Sequence, residues 1–234
     1  MRPIELAIGP YGDSALLVRA VGADRSDRSD REACWRTVQD LADALTAAGG
    51  AAIGVSDLVA TYDSLLVEFD SADTDHDAVS ALVRAAHAAG PADTGARPPT
   101  VFEVPVGYGG EDGPDLDGVA DQLGISPAEV VERHGAAEWT VRFLGAPTGA
   151  PMLDGSMLPG PVRRHPSPRP RVPAGSVALS GVQGVIYPVA APGGWQLIGR
   201  TPLRFVDPGR WPHVPYRPGD RFRFVPHSDR RHNR

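Results

Sequence analysis

The sequence predicts an α+β chain of two domains: a small α/β layer over residues 1–90 and a β-barrel or sandwich domain over residues 100–226. Three observations predict it. Strand-like apolar runs alternate with helical periodicity as far as Gly90, the stretch 91–99 is rich in Pro, Gly and Ala with no period, and short strands punctuated by Gly and Pro then recur to Pro226. A length of 234 residues allows two domains, each large enough to bury a core.

In the first domain, "ALLVRA" (Ala15–Ala20) reads as a strand after the "YGDS" turn, and the charged span "GADRSDRSDR" follows. From Glu32 to Ala48, Trp35, Val38, Leu41, Ala42 and Leu45 recur at three and four, which is one helical face, closed by Gly49 and Gly50. "SLLVEFD" (Ser64–Asp70) is a second strand, and a second helix ending at Gly90 places Val79, Leu82, Val83 and Ala86 on one face behind acidic N-terminal residues. Asp13, Asp57 and Asp63 read as turn residues. Cys34, on the first helix, is the sole cysteine, so disulfides and cysteine-based metal sites are excluded and no metal is expected.

Beyond the linker, "TVFEVPV" (Thr100–Val106) is an alternating strand, and "YGGEDGPD" bridges to an acidic helix start at Asp115. "SPAEVVERHG" is a helix with Ser126 as N-cap, Pro127 at the first helical position, Glu129 as capping-box partner and Gly135 at its end. Six short strands follow: "EWTVRFL", "GSVALS", "GVIYPV", "WQLIG", "LRFVD" and "DRFRFVP". Residues 227–234 form a basic tail.

Composition narrows the function. The formal net charge of −6 argues against a nucleic-acid footprint, and no segment approaches the roughly 20 apolar residues of a spanning helix, so a cytoplasmic chain is expected. All 23 residues counted as Lys or Arg are Arg, which excludes a Schiff-base lysine, a lysine base and a P-loop lysine.

Several residues could form a site. "VRRHPSPRPRVP" (Val162–Pro173) mounts Arg163, Arg164, Arg169 and Arg171 on a proline-stiffened loop suited to carboxylate or phosphate capture. Gln183 sits between glycine and apolar neighbours, and Tyr187 is held extended by Pro188. Trp195 opens an apolar strand, where a core role is the commoner one. His134 closes its helix, either as a packing and capping residue or as a pocket residue. No nucleophile–base pair is identifiable, so the catalytic residues are unassigned.

These segments resemble a known family, that of the 5-oxoprolinase B subunit, allophanate hydrolase subunit one and the sporulation-kinase inhibitors, built on carboxyltransferase subdomains C and D. The resemblance is carried by Tyr11–Arg19, Thr61–Asp70, Val104–Ala120, Ser126–His134, Pro168–Gly181, Ile186–Val189, Pro192–Pro202 and Tyr216–Pro226, in family order over almost the whole chain. It implies a cyclophilin-like β-barrel behind the small α/β domain. It further implies a non-autonomous subunit of an ATP-dependent amide or lactam hydrolase, cleaving 5-oxoproline to glutamate with a homologous second subunit and a third protein. ATP would then be bound at a composite site. The family's other members imply two alternatives, a module that inhibits a sensor histidine kinase and a carboxyltransferase or allophanate-type partner in urea metabolism. Carried over by position, the substrate-binding candidates are His134, Arg164, Arg169, Gln183, Tyr187 and Trp195.

The chain departs from the family pattern at "GAPTGAPML" (Gly145–Leu153), where Ala146 and Ala150 stand for two aromatics and Met152 for a tyrosine, and after Gln183, where Gly184 and Val185 replace threonine and glycine. Losing two rings removes about 150–250 Å² of packing surface each, which is expected to open the pocket or leave it to a partner.

Overall fold

The computed structural model describes residues 4–22, 27–49, 54–91 and 98–227. Residues 92–97 of the expected linker, 228–234 of the basic tail and 23–26 of the charged span lie outside the described residues. The chain divides into two compact units, Met1–Pro98 and Pro99–Arg234.

The first unit is a four-stranded antiparallel sheet with two helices. Its strands are β1 (Glu5–Pro10), β2 (Ala15–Val21), β3 (Val55–Ala60) and β4 (Ser64–Phe69), in the order β1-β2-β4-β3, and its helices are α1 (Arg28–Ala47) and α2 (His76–Ala89). Period-two alternation sends Leu16, Val18 and Ala20 of β2 and Leu65, Val67 and Phe69 of β4 into one core, where Val38, Leu41 and Leu45 of α1 and Val79 and Val83 of α2 meet them. Asp27 caps α1 by accepting from the Ser29 N–H at 2.6 Å, and Asp75 caps α2 by accepting from Ala78 at 2.8 Å. The two central strands are those the sequence predicts. The outer strands, β1 and β3, escape prediction because an edge strand mixes buried and exposed positions without an apolar run. Asp57, read as a turn residue, lies within β3.

The second unit is a closed seven-stranded barrel, in the order β10-β7-β6-β13-β5-β12-β9. The strands are β5 (Val101–Tyr108), β6 (Trp139–Gly145), β7 (Ala150–Asp154), β9 (Ser176–Ser180), β10 (Gln183–Ile186), β12 (Gln196–Arg200) and β13 (Arg221–Pro226). A two-stranded ribbon, β8 (Arg169–Val172) with β11 (Ala191–Gly193), accompanies the barrel, and α3 (Leu116–Leu123) and α4 (Pro127–Ala136) join β5 to β6. Ser126 caps α4 by accepting from the Glu129 N–H at 3.2 Å. The predicted "LRFVD" strand (203–207) is irregular instead. Phe205 is buried and stacks on Phe222, while Leu203 is exposed, so the apolar residues anchor a loop without a sheet edge to pair with.

One buried cluster takes residues from all seven barrel strands, among them Val104, Trp139, Leu153, Leu179, Ile186, Ile198 and Phe222. Convergence from every strand marks it as the barrel interior. A second cluster, Ala150, Val172, Ala178, Val185, Tyr187 and Leu197, draws only on the β7–β10 and β12 region. Its members on β7, β9, β10 and β12 alternate with interior residues, so it lies on the outer face, where Val172 of β8 joins it.

Candidate functional site

The outer face gathers most of the predicted site. Alternation along β10 and its extension puts Gln183, Val185 and Tyr187 on this side, because Gly184 and Ile186 point inward; a Cβ on Gly184 would meet the Trp139 ring at 3.0 Å. Register brings Val185 opposite Ala178 and Met152, and Leu197 opposite Ala178, giving an apolar band across four strands. Trp195 packs against this band. Gln183 lies at one end of it, paired in register with Asp154 and Ser180, and Arg142 lies 3.5 Å from Asp154.

Tyr187 lies at the other end, and the arginine loop flanks the band, with Arg164 against Gly194 and Arg169 on Asp115. The arginine loop is tightly held. Val162 and Gly181 exchange backbone hydrogen bonds of 2.8 and 2.7 Å, the Arg163 N–H donates to Gln122 Oε1 at 2.9 Å, and the Arg163 carbonyl accepts from Gln196 Nε2 at 2.8 Å. The His165 N–H donates to the Gly194 carbonyl at 2.8 Å. Glycine at 193 is a requirement of this packing, and at 194 the loop packs against the backbone at contact distance. A Cβ on Gly193 would collide with the Tyr187 hydroxyl, and one on Gly194 would touch Arg164 Nη2 at 3.4 Å.

Beneath them lies a buried carboxylate that the sequence gives no reason to single out. Asp115 is 8% exposed, and its Oδ1 accepts from Arg169 Nη2 at 2.6 Å while Oδ2 accepts from the Leu197 N–H at 2.7 Å. His165 Nε2 stands 3.2 Å from Oδ2. The Asp115 N–H returns a 3.0 Å bond to the Leu197 carbonyl, which locks the start of α3 onto β12. Gly113 permits this approach, since a Cβ there would collide with the Ile198 carbonyl. Burial pushes the Asp115 carboxyl up, but the Leu197 N–H, Arg169 and His165 outweigh it and hold the group below its ordinary range. Burial likewise pushes the Tyr187 phenol up, and the charges of Arg164 and Arg169 pull it part of the way back. Asp115 and His165 both stand in conspicuous segments, "GEDGPD" and "RRHPSPRP". Their partnership across the chain has no local signal.

His134 does not join them. It is 0% exposed inside the barrel unit, 4.4 Å from the Phe224 ring and 5.0 Å from the Trp139 ring by centroid, with its Nδ1 hydrogen-bonded to the Tyr108 hydroxyl at 2.8 Å. The Trp139 indole N–H donates to the His134 carbonyl at 3.1 Å. Burial lowers its pKa to about 3, so the ring is neutral, and the packing alternative is the one realised.

The altered segment also differs from expectation. Ala150 is fully buried against Tyr187, Val172 and Val185, so the outer cluster closes over the missing ring and no opening results there. Ala146 is exposed in the turn between β6 and β7. No cluster of three metal-ligating side chains occurs among the described residues, and none of their helices is long and apolar enough to cross a membrane.

The arrangement can bind an anion. Arg169 is neutralised by Asp115, whereas Arg164 is exposed and has no acidic partner among the described residues.

Comparison with known proteins places this architecture. Residues 6–216 match the family described as the carboxyltransferase domain, subdomain C and D. The chain is similar to the B subunit of the 5-oxoprolinase of Escherichia coli O157:H7, with 48% identity over 130 residues, covering 55% of this chain and 59% of that protein. Among solved structures, a conserved protein from Pyrococcus horikoshii is 34% identical with a TM-score of 0.53, covering 95% of this chain and 98% of that one. The urea carboxylase of Kluyveromyces lactis shares the fold, with a TM-score of 0.74 at 19% identity, over 96% of this chain and 22% of that one. The matches span little more than half the length of the curated relatives.

Proposed function

Because this chain belongs to the carboxyltransferase subdomain C and D family, we propose that it is a subunit of a 5-oxoprolinase, acting in the ATP-dependent opening of 5-oxoproline to glutamate together with a homologous second subunit and a third protein. The observation that carries the reading is the 48% identity to the B subunit of a 5-oxoprolinase. The urea-metabolism alternative rests on shared fold alone, at 19% identity.

The chemistry suits a composite enzyme. Opening a lactam breaks an unreactive amide C–N bond, and ATP supplies the driving force by activating the carbonyl when it is bound. In this reading the chain's own share is to bind and orient. The outer barrel face offers an apolar band for the ring methylenes, with Gln183 at one end of it and the arginine loop along its flank. ATP, if it touches this chain, meets arginine as the cation, since lysine is absent.

Co-expression with the second and third proteins tests the reading. Expected is ATP turnover that depends on 5-oxoproline in the complex and is absent from the purified chain. Turnover by the chain alone, or a complete complex inert toward 5-oxoproline, overturns it.

A further inference from the structure

The outer face carries two adjacent donors that the protein leaves unused. Tyr187 is 4% exposed, yet its hydroxyl has no hydrogen-bond acceptor among the described residues. Arg164 has no ion pair among them. The hydroxyl rests over Gly193 and the guanidinium against the next residue, Gly194, and the Arg164 charge acts on the Tyr187 phenol, so the two donors share one neighbourhood. A phenol that is nine-tenths buried normally finds a partner. The hydroxyl oxygen is not sealed from solvent, so an acceptor from outside can reach it, and a hydroxyl beside a guanidinium suits an acceptor with two oxygens.

We propose that Arg164 and the Tyr187 hydroxyl form a carboxylate-binding site on the outer barrel face, with Arg164 as the anchoring cation and a small monocarboxylate as the ligand. Arg169 contributes a second positive charge, but Asp115 holds it at 2.6 Å and cancels that charge locally. Asp115 is therefore a positioning residue. Its buried negative charge also sets the ligand's charge, since one free guanidinium beside a fixed carboxylate suits a monoanion and penalises a phosphate dianion. The apolar band of Val185, Ala178 and Leu197 beside the donors fits a short hydrocarbon body, as in a five-membered lactam carboxylate. The identity of the ligand, though not the site, rests on the 5-oxoprolinase reading.

Calorimetric titration of the full chain, alone and in the reconstituted complex, with 5-oxoproline, 2-pyrrolidinone and inorganic phosphate tests this. 2-Pyrrolidinone is the same lactam without its carboxylate. Arg164→Gln is expected to weaken 5-oxoproline binding at least about tenfold, and Tyr187→Phe by a few-fold, with weak 2-pyrrolidinone binding unchanged in both. Arg164 is exposed, so its variant folds, and Gly193→Ala provides a second route by displacing the hydroxyl without touching a charge. The site is refuted if Arg164→Gln binds like the parent, if 2-pyrrolidinone binds as tightly as 5-oxoproline, if phosphate is preferred, or if no saturable binding occurs in either preparation. The two failures separate cleanly. A complex that turns over 5-oxoproline with an unchanged KM in the Arg164 variant sinks the site and keeps the 5-oxoprolinase reading. A chain whose 5-oxoproline binding needs Arg164, in a complex without turnover, does the reverse.

Discussion

The barrel buries a titratable group on each of its two faces and treats them in opposite ways. Inside, His134 is enclosed by Phe224, Trp139 and the Tyr108 hydroxyl, with no charge beside it, and it stays neutral. Outside, Asp115 is almost as well covered but receives a guanidinium, a backbone N–H and the approach of His165, and it stays ionised. Burial alone removes charge, and burial with partners fixes it.

The largest expected effect breaks the charged side of this comparison. Asp115→Asn leaves the Arg169 guanidinium without its counter-charge and gives the Leu197 N–H a weaker acceptor. Breaking a buried pair typically costs about 3–5 kcal/mol, and since Arg169 is 29% exposed the expected loss is about 2–3 kcal/mol. Urea denaturation of the variant checks it. A change below about 0.5 kcal/mol would show that solvent reaches the pair and that it locks nothing.

Next comes a test of how full the outer face is. Ala150 has no exposed surface, so Ala150→Phe must displace Val185, Val172 or Tyr187 and is expected to destabilise by about 1–3 kcal/mol. This reverses the simplest inference from the sequence, in which an aromatic restored there fills a hole. Equal or greater stability in the variant would mean that a cavity exists at Ala150.

Legibility in the sequence followed the same division between local and distant contacts. Central strands such as "ALLVRA" and "SLLVEF" announce themselves because one face is wholly apolar, and the Ser126 N-cap marks α4 by local chemistry, although the Glu129 carboxylate pairs with Arg133 and does not close the capping box. Edge strands carry no such contrast, which hid β1 and β3. Of the site, Arg164, Tyr187, Arg169 and Trp195 were found because Gly and Pro beside polar or aromatic groups are conspicuous. Asp115 and His165 were not, since 50 residues separate them and only the register of β12 against the start of α3 brings them together. His134 looked like a site residue by its family position, and its aromatic enclosure comes from β6 and β13, the latter far along the chain.

The neutral side is tested by pH. The folded-state pKa of His134 is depressed to about 3 from an ordinary value near 6.5, so between these values the unfolded chain binds the additional proton. Stability from this group is complete above about pH 6.5 and falls as pH drops toward 3, at up to about 1.4 kcal/mol per pH unit. His134→Gln, whose amide can still hydrogen-bond Tyr108, is expected to flatten that slope between about pH 6 and 4.5. An equal slope in parent and variant assigns the acid sensitivity elsewhere, and a His134 ring that titrates near its ordinary value by NMR in the folded protein contradicts its enclosure.

The smallest effect isolates exposure from distance. Arg223 Nη2 lies 2.6 Å from Glu103 Oε1, the same separation as Arg169 Nη2 from Asp115 Oδ1. Both pairs join residues distant in sequence, so neither gains from local geometry. They differ in their surroundings. The side chains of Arg223 and Glu103 are 58% and 64% exposed, so water solvates each charge about as well as its partner does, and holding two long side chains together costs rotamer entropy. Arg223→Ala is therefore expected to change stability by less than about 1 kcal/mol, with the difference shrinking further at about 1 M salt, where screening acts within about 3 Å. Asp115→Asn should keep most of its cost at that salt concentration, because the Asp115 carboxylate is almost wholly buried and ions reach only the outer part of Arg169. If the two variants lost stability equally and showed the same salt dependence, contact distance would govern both pairs, and the division of the barrel into a solvated surface and a fixed, charged site would fail.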